Sequence, residues 1–361
     1  RSTPLYSSAA SDVYKRQVQE GSDYIRINSD GLRDREHPVE KPGDTLRIAV
    51  VGDSFAAALE LPMEKAFWSV LEKRLASCDA LGPKKVEVIN FGVGGFGQGH
   101  ELMMMRSRVW KYQPDIVLLQ MYLGNDIFNN SRKMNRVTDS TAPFFFYEGD
   151  NLVLDESYRA APNLQPGAIA RANLFNDFQN NSRLLLMLSA VPNLLQKADP
   201  VPSEGGVRTK IDPGPREQVM YSPPKSPELE DAWRVTEGLL SLMSQENKAH
   251  GADFWVATLS TPVQVYPDPS AREELAKKLG VAELYYPDRR VRDFGQKSGI
   301  DVMTLSPEMA AYADANKVFL HGYPNQIIGE GHWNEDGHRV GGELMADKLC
   351  KALSAPQANA P

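Results

Sequence analysis

The sequence predicts one three-layer α/β/α domain built on a five-stranded parallel sheet with a flavodoxin-like strand order, 2-1-3-4-5. Short β-branched runs alternate with segments whose apolar residues recur at helical spacing. Strict alternation of this kind is typical of parallel β-α-β units with right-handed crossovers. A chain of 361 residues that is 42% hydrophobic also has enough apolar material for a core of this size.

Five apolar runs are predicted as strands of this sheet. The first, residues 46–51, is a Leu-Arg-Ile-Ala-Val-Val run bounded by turn-forming residues, which is the pattern of a buried strand. The remaining strands are predicted at residues 86–89, 115–121, 253–259 and 301–305.

Helices are predicted between and after these strands. Apolar residues at helical spacing and a preceding proline favour a helix over residues 64–76. Pro227 suits the first turn of a helix, where a missing N–H costs nothing, and Asn334 can accept a backbone N–H at a helix start. The helices are predicted at residues 64–76, 100–110, 227–249, 288–297 and 334–353.

A long insert, about residues 129–225, interrupts the alternation after the third strand. We predict a hairpin over residues 143–154, a helix from about 174 to 195 and a Pro/Gly-rich stretch from 200 to 227. The insert leaves the carboxyl end of a strand, the edge that carries the ligand crevice in open α/β sheets. It is interpreted either as a lid or substrate wall, or as a flap without function.

The two ends of the chain are set apart from the domain, which we expect to span residues 46–354. Residues 1–17 back-translate to adapter sequences used in preparing sequencing libraries, so we interpret them as an artefact. On that interpretation the gene is truncated at its 5′ end, so a signal peptide or anchor could have been lost. Residues 18–45 are polar and irregular, and residues 355–361 form a frayed Ala/Pro tail.

Composition narrows the classes of partner. The chain has 47 acidic and 40 basic residues, a net charge of −7, whereas a nucleic-acid-binding protein needs a basic face. The longest apolar run, residues 184–195, is broken by Pro192, so we predict no membrane span in this chain. Two cysteines are too few for a disulfide framework or, by themselves, a metal cluster.

Four short segments carry the candidate chemistry: three lie where predicted strands end, and the fourth lies between the last strand and the closing helix. The segments are Gly-Asp-Ser at 52–54, the glycine-rich stretch 90–97, Leu-Gly-Asn-Asp at 123–126 and Glu-Gly-His-Trp-Asn at 330–334. Each alone is a common turn or loop. Together they bring Ser, Gly, Asn and His to one edge of a parallel sheet.

This order of blocks resembles the SGNH (GDSL) hydrolase family, and the resemblance runs from about residue 28 to 353, excepting the insert. It implies an SGNH hydrolase fold, with Ser54 as nucleophile and His332 as base. It also implies an oxyanion hole made by the backbone N–H groups of Ser54 and Gly95 and the side-chain amide of Asn125. An imidazole is needed because a serine hydroxyl is a poor nucleophile until its proton is taken.

The acid of the triad departs from the family pattern. The commonest last block has aspartate three residues before the histidine, and Gly329 stands there in this chain. Glu330, two residues before His332, is our choice for orienting the imidazole, a role that glutamate can fill. The alternative is that Glu330 is a solvated loop residue and a backbone carbonyl orients His332.

Several other residues are assigned minor or no roles. His100, at the start of a helix near the glycine block, and Gln264, in the loop after the fourth strand, are candidate substrate contacts. We predict no metal site and no cofactor, because the histidines offer no further ligand nearby. For Cys78 and Cys350 two unpaired thiols are preferred to a disulfide, which would imply an oxidising compartment.

The resemblance implies a serine esterase that cleaves acyl esters, short-chain or acetyl, through an acyl-serine intermediate. By analogy with the family, the substrate is a small-molecule or glycan ester and the location extracytoplasmic, periplasmic or secreted, in a bacterium. Two alternatives stay open. One is a polysaccharide O-acyltransferase using the same site, and the other is a carbohydrate-binding descendant without catalysis.

Overall fold

The strands of the computed structural model, which describes residues 14–17, 22–135, 142–171, 174, 206–207 and 211–355, form one large sheet and two hairpins. They are β1 (Tyr14–Gln17), β2 (Ser22–Ile25), β3 (Thr45–Val51), β4 (Lys85–Asn90), β5 (Ile116–Tyr122), β6 (Phe145–Glu148), β7 (Asn151–Leu154), β8 (Asp253–Leu259) and β9 (Asp301–Thr304).

The principal helices are α1 (Ser54–Ala57), α2 (Phe67–Leu75), α3 (Gln98–Ser107), α4 (Asp126–Asn129), α5 (Pro215–Gln218), α6 (Pro227–Ala249), α7 (Pro269–Leu279), α8 (Tyr286–Ser298), α9 (Ser306–Asn316) and α10 (Glu335–Ser354). None of the helices within the described ranges is both long and apolar enough to cross a membrane. The helix predicted over residues 174–195 falls, except for its first residue, outside the described residues.

The large sheet confirms the predicted fold class. Its five strands follow the order β4-β3-β5-β8-β9, and every neighbouring pair is parallel. Numbered along the chain, this order is 2-1-3-4-5, the doubly wound arrangement whose topological switch point lies between β3 and β5. The carboxyl ends of β3, β4 and β5 therefore meet at one edge.

Side-chain alternation along the strands builds two cores. In β3, Ile48 and Val50 face one core together with α2, α9 and α10, whereas Ala49 and Val51 face the other with α3 and α6. Successive side chains of a strand point to opposite faces, so a run that is apolar throughout is buried on both sides. The result is a sheet covered by helices on both faces.

Five of these helices were not predicted from the sequence: α1, α4, α5, α7 and α9. The two longest of them, α7 and α9, lie in regions that the sequence analysis leaves as connections. In α9 the inward side chains include Ala310 and Ala313, which give only a weak apolar pattern because alanine contributes little to periodicity. The predicted hairpin over residues 143–154 is confirmed as β6 and β7.

The irregular segment before β3 packs against the edge of the sheet. The Asp34 carboxylate accepts a hydrogen bond from the backbone N–H of Asn90 at 2.8 Å, and Asn90 Nδ2 donates to the Arg33 carbonyl at 3.2 Å. His37 lies between Asp34 and Glu87, with its Nδ1 2.7 Å from the Glu87 carboxylate. These contacts cover β4, an edge strand whose unpaired groups would otherwise be exposed.

Cys78 and Cys350 form a disulfide, which corrects the preference for unpaired thiols. The pair joins the chain just after α2 to the last turns of α10 over a separation of 272 residues, with the two Cα atoms 5.7 Å apart. Helices α2 and α10 pack together on the same face of the sheet. The predicted strand order already placed these two helices on one face, whereas whether the cysteines pair was left undecided.

We predict that the double variant Cys78→Ser, Cys350→Ser unfolds at lower urea concentration than the parent. Closing so long a loop restricts the unfolded chain, and the loss is expected to be as large as about 5 kcal/mol in the chain-entropy account. Thiol titration of the denatured parent is expected to find no thiol before reduction and two after it. Two thiols in the unreduced protein would contradict the disulfide.

Candidate active site

The turn after β3 exposes Ser54 at the start of α1. The Asp53 carboxylate accepts a hydrogen bond from the Phe55 N–H at 3.0 Å, so it caps this short helix. The side chain of Gln120 in β5 accepts one from the Asp53 N–H at 3.1 Å. A Cβ at Gly52 would lie 2.3 Å from the Gln120 oxygen, so the close approach of the two strands requires glycine there.

Ser54 and His332 are brought together, as the sequence predicts. The Nε2 atom of His332 lies 2.7 Å from Ser54 Oγ, a hydrogen-bond distance between residues 278 positions apart. The ring of Phe55 packs 4.8 Å from the imidazole, and a quarter of the His332 side chain is exposed. A serine and an imidazole in this contact can act as nucleophile and base.

Three hydrogen-bond donors are predicted for the oxyanion beside this serine: the N–H groups of Ser54 and Gly95 and the side-chain amide of Asn125. Gly95 has a left-handed backbone, φ +83°, and its neighbour Gly94 would carry a Cβ 3.8 Å from that of Ser54. Within the described part of the chain the N–H groups of Ser54 and Gly95 donate no hydrogen bond. Asn125 Nδ2 donates to Asp53 at 3.1 Å, which uses one of its two amide hydrogens.

A second polar network holds the loop that carries His332, and the sequence analysis did not find it. His321 Nδ1 lies 2.8 Å from the Gly331 carbonyl oxygen, and its Nε2 lies 3.2 Å from Ser260 Oγ. The Trp333 indole N–H donates to the same hydroxyl at 3.0 Å. All three side chains are buried, so the loop is fixed on both sides of His332.

An acidic residue that was not predicted from the sequence, Glu60, lies beside the imidazole of His332. A carboxylate oxygen of Glu60 lies 3.9 Å from His332 Nδ1, and the Glu60 side chain is only 9% exposed. Glu330 is half-buried on the same loop as His332, and its orienting role stays a prediction. No motif singles out Glu60, since it lies in an unpatterned Ala-Leu-Glu-Leu-Pro stretch.

Three carboxyl groups are buried behind the nucleophile. Burial raises the pKa of Asp53, and raises the pKa values of Glu101 and Asp126 well above the ordinary range. Repulsion from Asp53 adds to the effect on both, and repulsion from Asp126 adds to that on Glu101. Gln98 donates to Asp126 at 2.9 Å. Among the described residues no group of three or more His, Cys, Asp or Glu side chains is arranged to hold a metal ion.

The two predicted substrate contacts have different outcomes. His100 is half-buried and stacks on Phe96, with ring centroids 4.8 Å apart, and its substrate contact stays a prediction. Gln264 is fully buried instead, so that prediction is wrong. Its amide donates to Asp288 at 2.7 Å and its oxygen accepts from the Thr261 N–H at 2.9 Å, which commits the side chain to the interior.

No protein-family model and no curated protein matches this chain. Among solved structures, it is similar to an acetyl xylan esterase, AlAXEase, with 12% identity, 85% of this chain and 98% of that chain covered, and a TM-score of 0.40. It is also similar to the lipase/acylhydrolase from Enterococcus faecalis, with 13% identity, 86% and 99% covered, and a TM-score of 0.40.

An acetylxylan esterase from Geobacillus stearothermophilus, solved as a catalytic mutant, is similar at 9% identity, with 89% of this chain and 100% of that chain covered and a TM-score of 0.39. Likenesses at these identities and TM-scores carry no argument about activity.

His338, at the start of α10, is a packing residue and not a second base. It is fully buried, its Nδ1 accepts a hydrogen bond from the Phe67 N–H at 3.2 Å, and its ring stacks on that of Phe67. Burial lowers its pKa to about 3. The folded protein therefore holds it neutral at pH values where the unfolded chain protonates it.

We predict that His338 makes folding acid-sensitive between about pH 6.5 and pH 3. Since the unfolded state takes up a proton there and the folded state does not, the free energy of unfolding falls as pH falls, by at most about 1.4 kcal/mol per pH unit. His338→Asn keeps an acceptor but does not titrate, so its stability deficit against the parent is expected to narrow in acid. Urea denaturation from pH 7 to pH 4 measures this. The exposed His250→Asn is the control, and a pH-independent gap for His338→Asn would contradict the expectation.

Proposed function

We propose that this protein is a serine esterase that hydrolyses acyl esters through an acyl-Ser54 intermediate. The observation that carries the proposal is the 2.7 Å contact between Ser54 Oγ and His332 Nε2. This contact supplies a nucleophile and a base. For the developing oxyanion we propose the N–H groups of Ser54 and Gly95, which donate no hydrogen bond to another backbone group of the described residues, as donors.

Acylation begins with attack of Ser54 Oγ on the ester carbonyl carbon while the hydroxyl proton passes to His332 Nε2. The new O–C bond places negative charge on the carbonyl oxygen. The N–H groups of Ser54 and Gly95 and the remaining amide hydrogen of Asn125 are placed to stabilise that charge, because preorganised donors cost no rearrangement when the charge forms. Collapse breaks the bond to the alcohol, which leaves with the proton from Nε2.

Deacylation reverses these roles with water. His332 Nε2 takes a proton from a water molecule, whose oxygen attacks the acyl-serine carbonyl. The bond to Ser54 Oγ then breaks, the serine regains its proton from Nε2, and the carboxylic acid is released. The same three donors act on the second oxyanion.

The substrate class we propose is a short-chain ester, such as an acetyl ester, on a small molecule or carbohydrate. The block resemblance to SGNH hydrolases suggests it, and the exposure of Gly94 and Gly95 beside the nucleophile supports a large polar alcohol portion that extends into solvent. We further propose an extracytoplasmic location, which the Cys78–Cys350 disulfide supports because such bonds persist in oxidising compartments.

We predict that the parent chain hydrolyses p-nitrophenyl acetate faster than p-nitrophenyl octanoate, and that Ser54→Ala loses at least about 1,000-fold in kcat/KM. Ser107→Ala, at an exposed serine of α3, is the matched control and is expected to retain full activity. Equal activity of Ser54→Ala and the parent would refute the acyl-Ser54 mechanism. Acetyl transfer to an added oligosaccharide in preference to water would instead identify an acyltransferase.

Asn125→Ala is expected to lower kcat by about 100- to 1,000-fold with a smaller change in KM, because its amide acts on charge that develops only in the transition state. Asn316→Ala, at an exposed asparagine, controls for the substitution itself. Steady-state kinetics on p-nitrophenyl acetate separate the two constants. An unchanged kcat would remove Asn125 from the oxyanion hole.

A further inference from the structure

Glu60 is brought to the active site by the fold of the nucleophile's own loop. Helix α1 ends after one turn at Ala58, whose left-handed backbone, φ 47°, turns the chain back toward the site. The next turn is anchored by the buried Arg33, whose guanidinium donates to the Leu61 carbonyl at 2.6 Å. Glu60 therefore lies on a short, tethered segment, and the segment directs its carboxylate to within 3.9 Å of His332 Nδ1.

We propose that Glu60 is a positioning residue for His332, the carboxylate that orients its Nδ1–H and stabilises the cation formed when the imidazole takes the Ser54 proton. The inference rests on the proposed esterase function. It assigns the acid of the catalytic site to the segment that follows β3 and α1. Glu60 is separated from His332 by most of the chain, whereas the acid predicted from the sequence, Glu330, is two residues away.

The chemistry requires a carboxylate on this side of the ring. When Ser54 donates its hydroxyl hydrogen to Nε2, the neutral imidazole carries its own proton on Nδ1. Transfer of the serine proton then leaves a cation whose second N–H faces Glu60. A carboxylate that is largely buried interacts with that cation more strongly than one in water, because the screening by solvent is weaker. Glu60 donates and accepts no proton itself.

Several other ionisable groups act on the same imidazole, and any test has to separate them. Asp53 belongs to the nucleophile turn. Burial raises the pKa of its carboxyl group, and attraction to His332 acts in the opposite direction. Glu330 lies on the loop of His332. His338 on α10 and His321 beneath Gly331 are the neighbouring imidazoles. Of these, Glu60 and Glu330 are the carboxylates outside the nucleophile turn.

The first experiment needs no substrate. The titration of His332 is followed by NMR of its imidazole in the parent, Glu60→Gln, Glu330→Gln and the control Glu64→Gln, an exposed glutamate of the following turn. An opposite charge within about 4 to 6 Å favours the protonated form of an imidazole. We expect Glu60→Gln to weaken proton binding by His332 about tenfold, moving the titration midpoint to lower pH, and Glu64→Gln to leave it in place.

The second experiment measures the pH dependence of kcat/KM for p-nitrophenyl acetate with the same four proteins. Glu60→Gln is expected to shift the acid limb in parallel with the NMR midpoint and to lower the plateau by about 10- to 100-fold. A lowered plateau with an unmoved midpoint would show a merely structural role and overturn the proposal. So would a midpoint that responds only to Glu330→Gln.

Failure of the esterase proposal is distinguishable from failure of this one. If the parent hydrolyses no ester but the titration midpoint of His332 still shifts in Glu60→Gln, the interaction of Glu60 with His332 is supported and the esterase function is refuted. If Ser54→Ala is inactive and Glu60→Gln behaves as the parent in both experiments, the function stands and Glu60 has no role. Near-UV circular dichroism verifies folding, and Glu60→Ser replaces Glu60→Gln if the latter does not fold.

Discussion

The buried carboxylate of Asp53 is the constraint on which the catalytic edge depends. It caps the turn that presents Ser54 and accepts a hydrogen bond from Asn125, so one side chain ties the end of β3 to the end of β5. A fully buried carboxylate is costly unless it is bonded on each oxygen, and here each oxygen accepts a hydrogen bond. The nucleophile and the amide donor therefore cannot move independently.

The histidine reaches this edge from the far end of the chain through a separate set of contacts. Ser260, His321 and Trp333 fix the loop of His332 to the end of β8, and the disulfide holds α10 against α2. The Ser54–His332 hydrogen bond forms where two independently supported loops meet.

Two carboxyl groups are buried near the site, where ionising them costs free energy. Glu101 and Asp126 lie behind the nucleophile with pKa values raised by burial, and within the described residues neither Glu101 oxygen has a hydrogen-bond partner. Burial disfavours the charged form of both carboxyl groups, and groups with strongly perturbed pKa values tend to cluster at functional sites. Both lie beneath the edge that carries the exposed Gly94 and Gly95.

The sequence by itself determined the five strands and their parallel pairing, because hydrophobic periodicity is local and alternating strands and helices form parallel units. The pairing of Ser54 with His332 came from the resemblance of the four blocks to the SGNH hydrolases. Only the tertiary structure decided that the two cysteines pair, that Gln264 turns inward and that Glu60 faces the imidazole. These outcomes depend on which side chains from distant segments become neighbours. That is settled by packing and buried hydrogen bonds across the whole chain, for which a local pattern carries no signal.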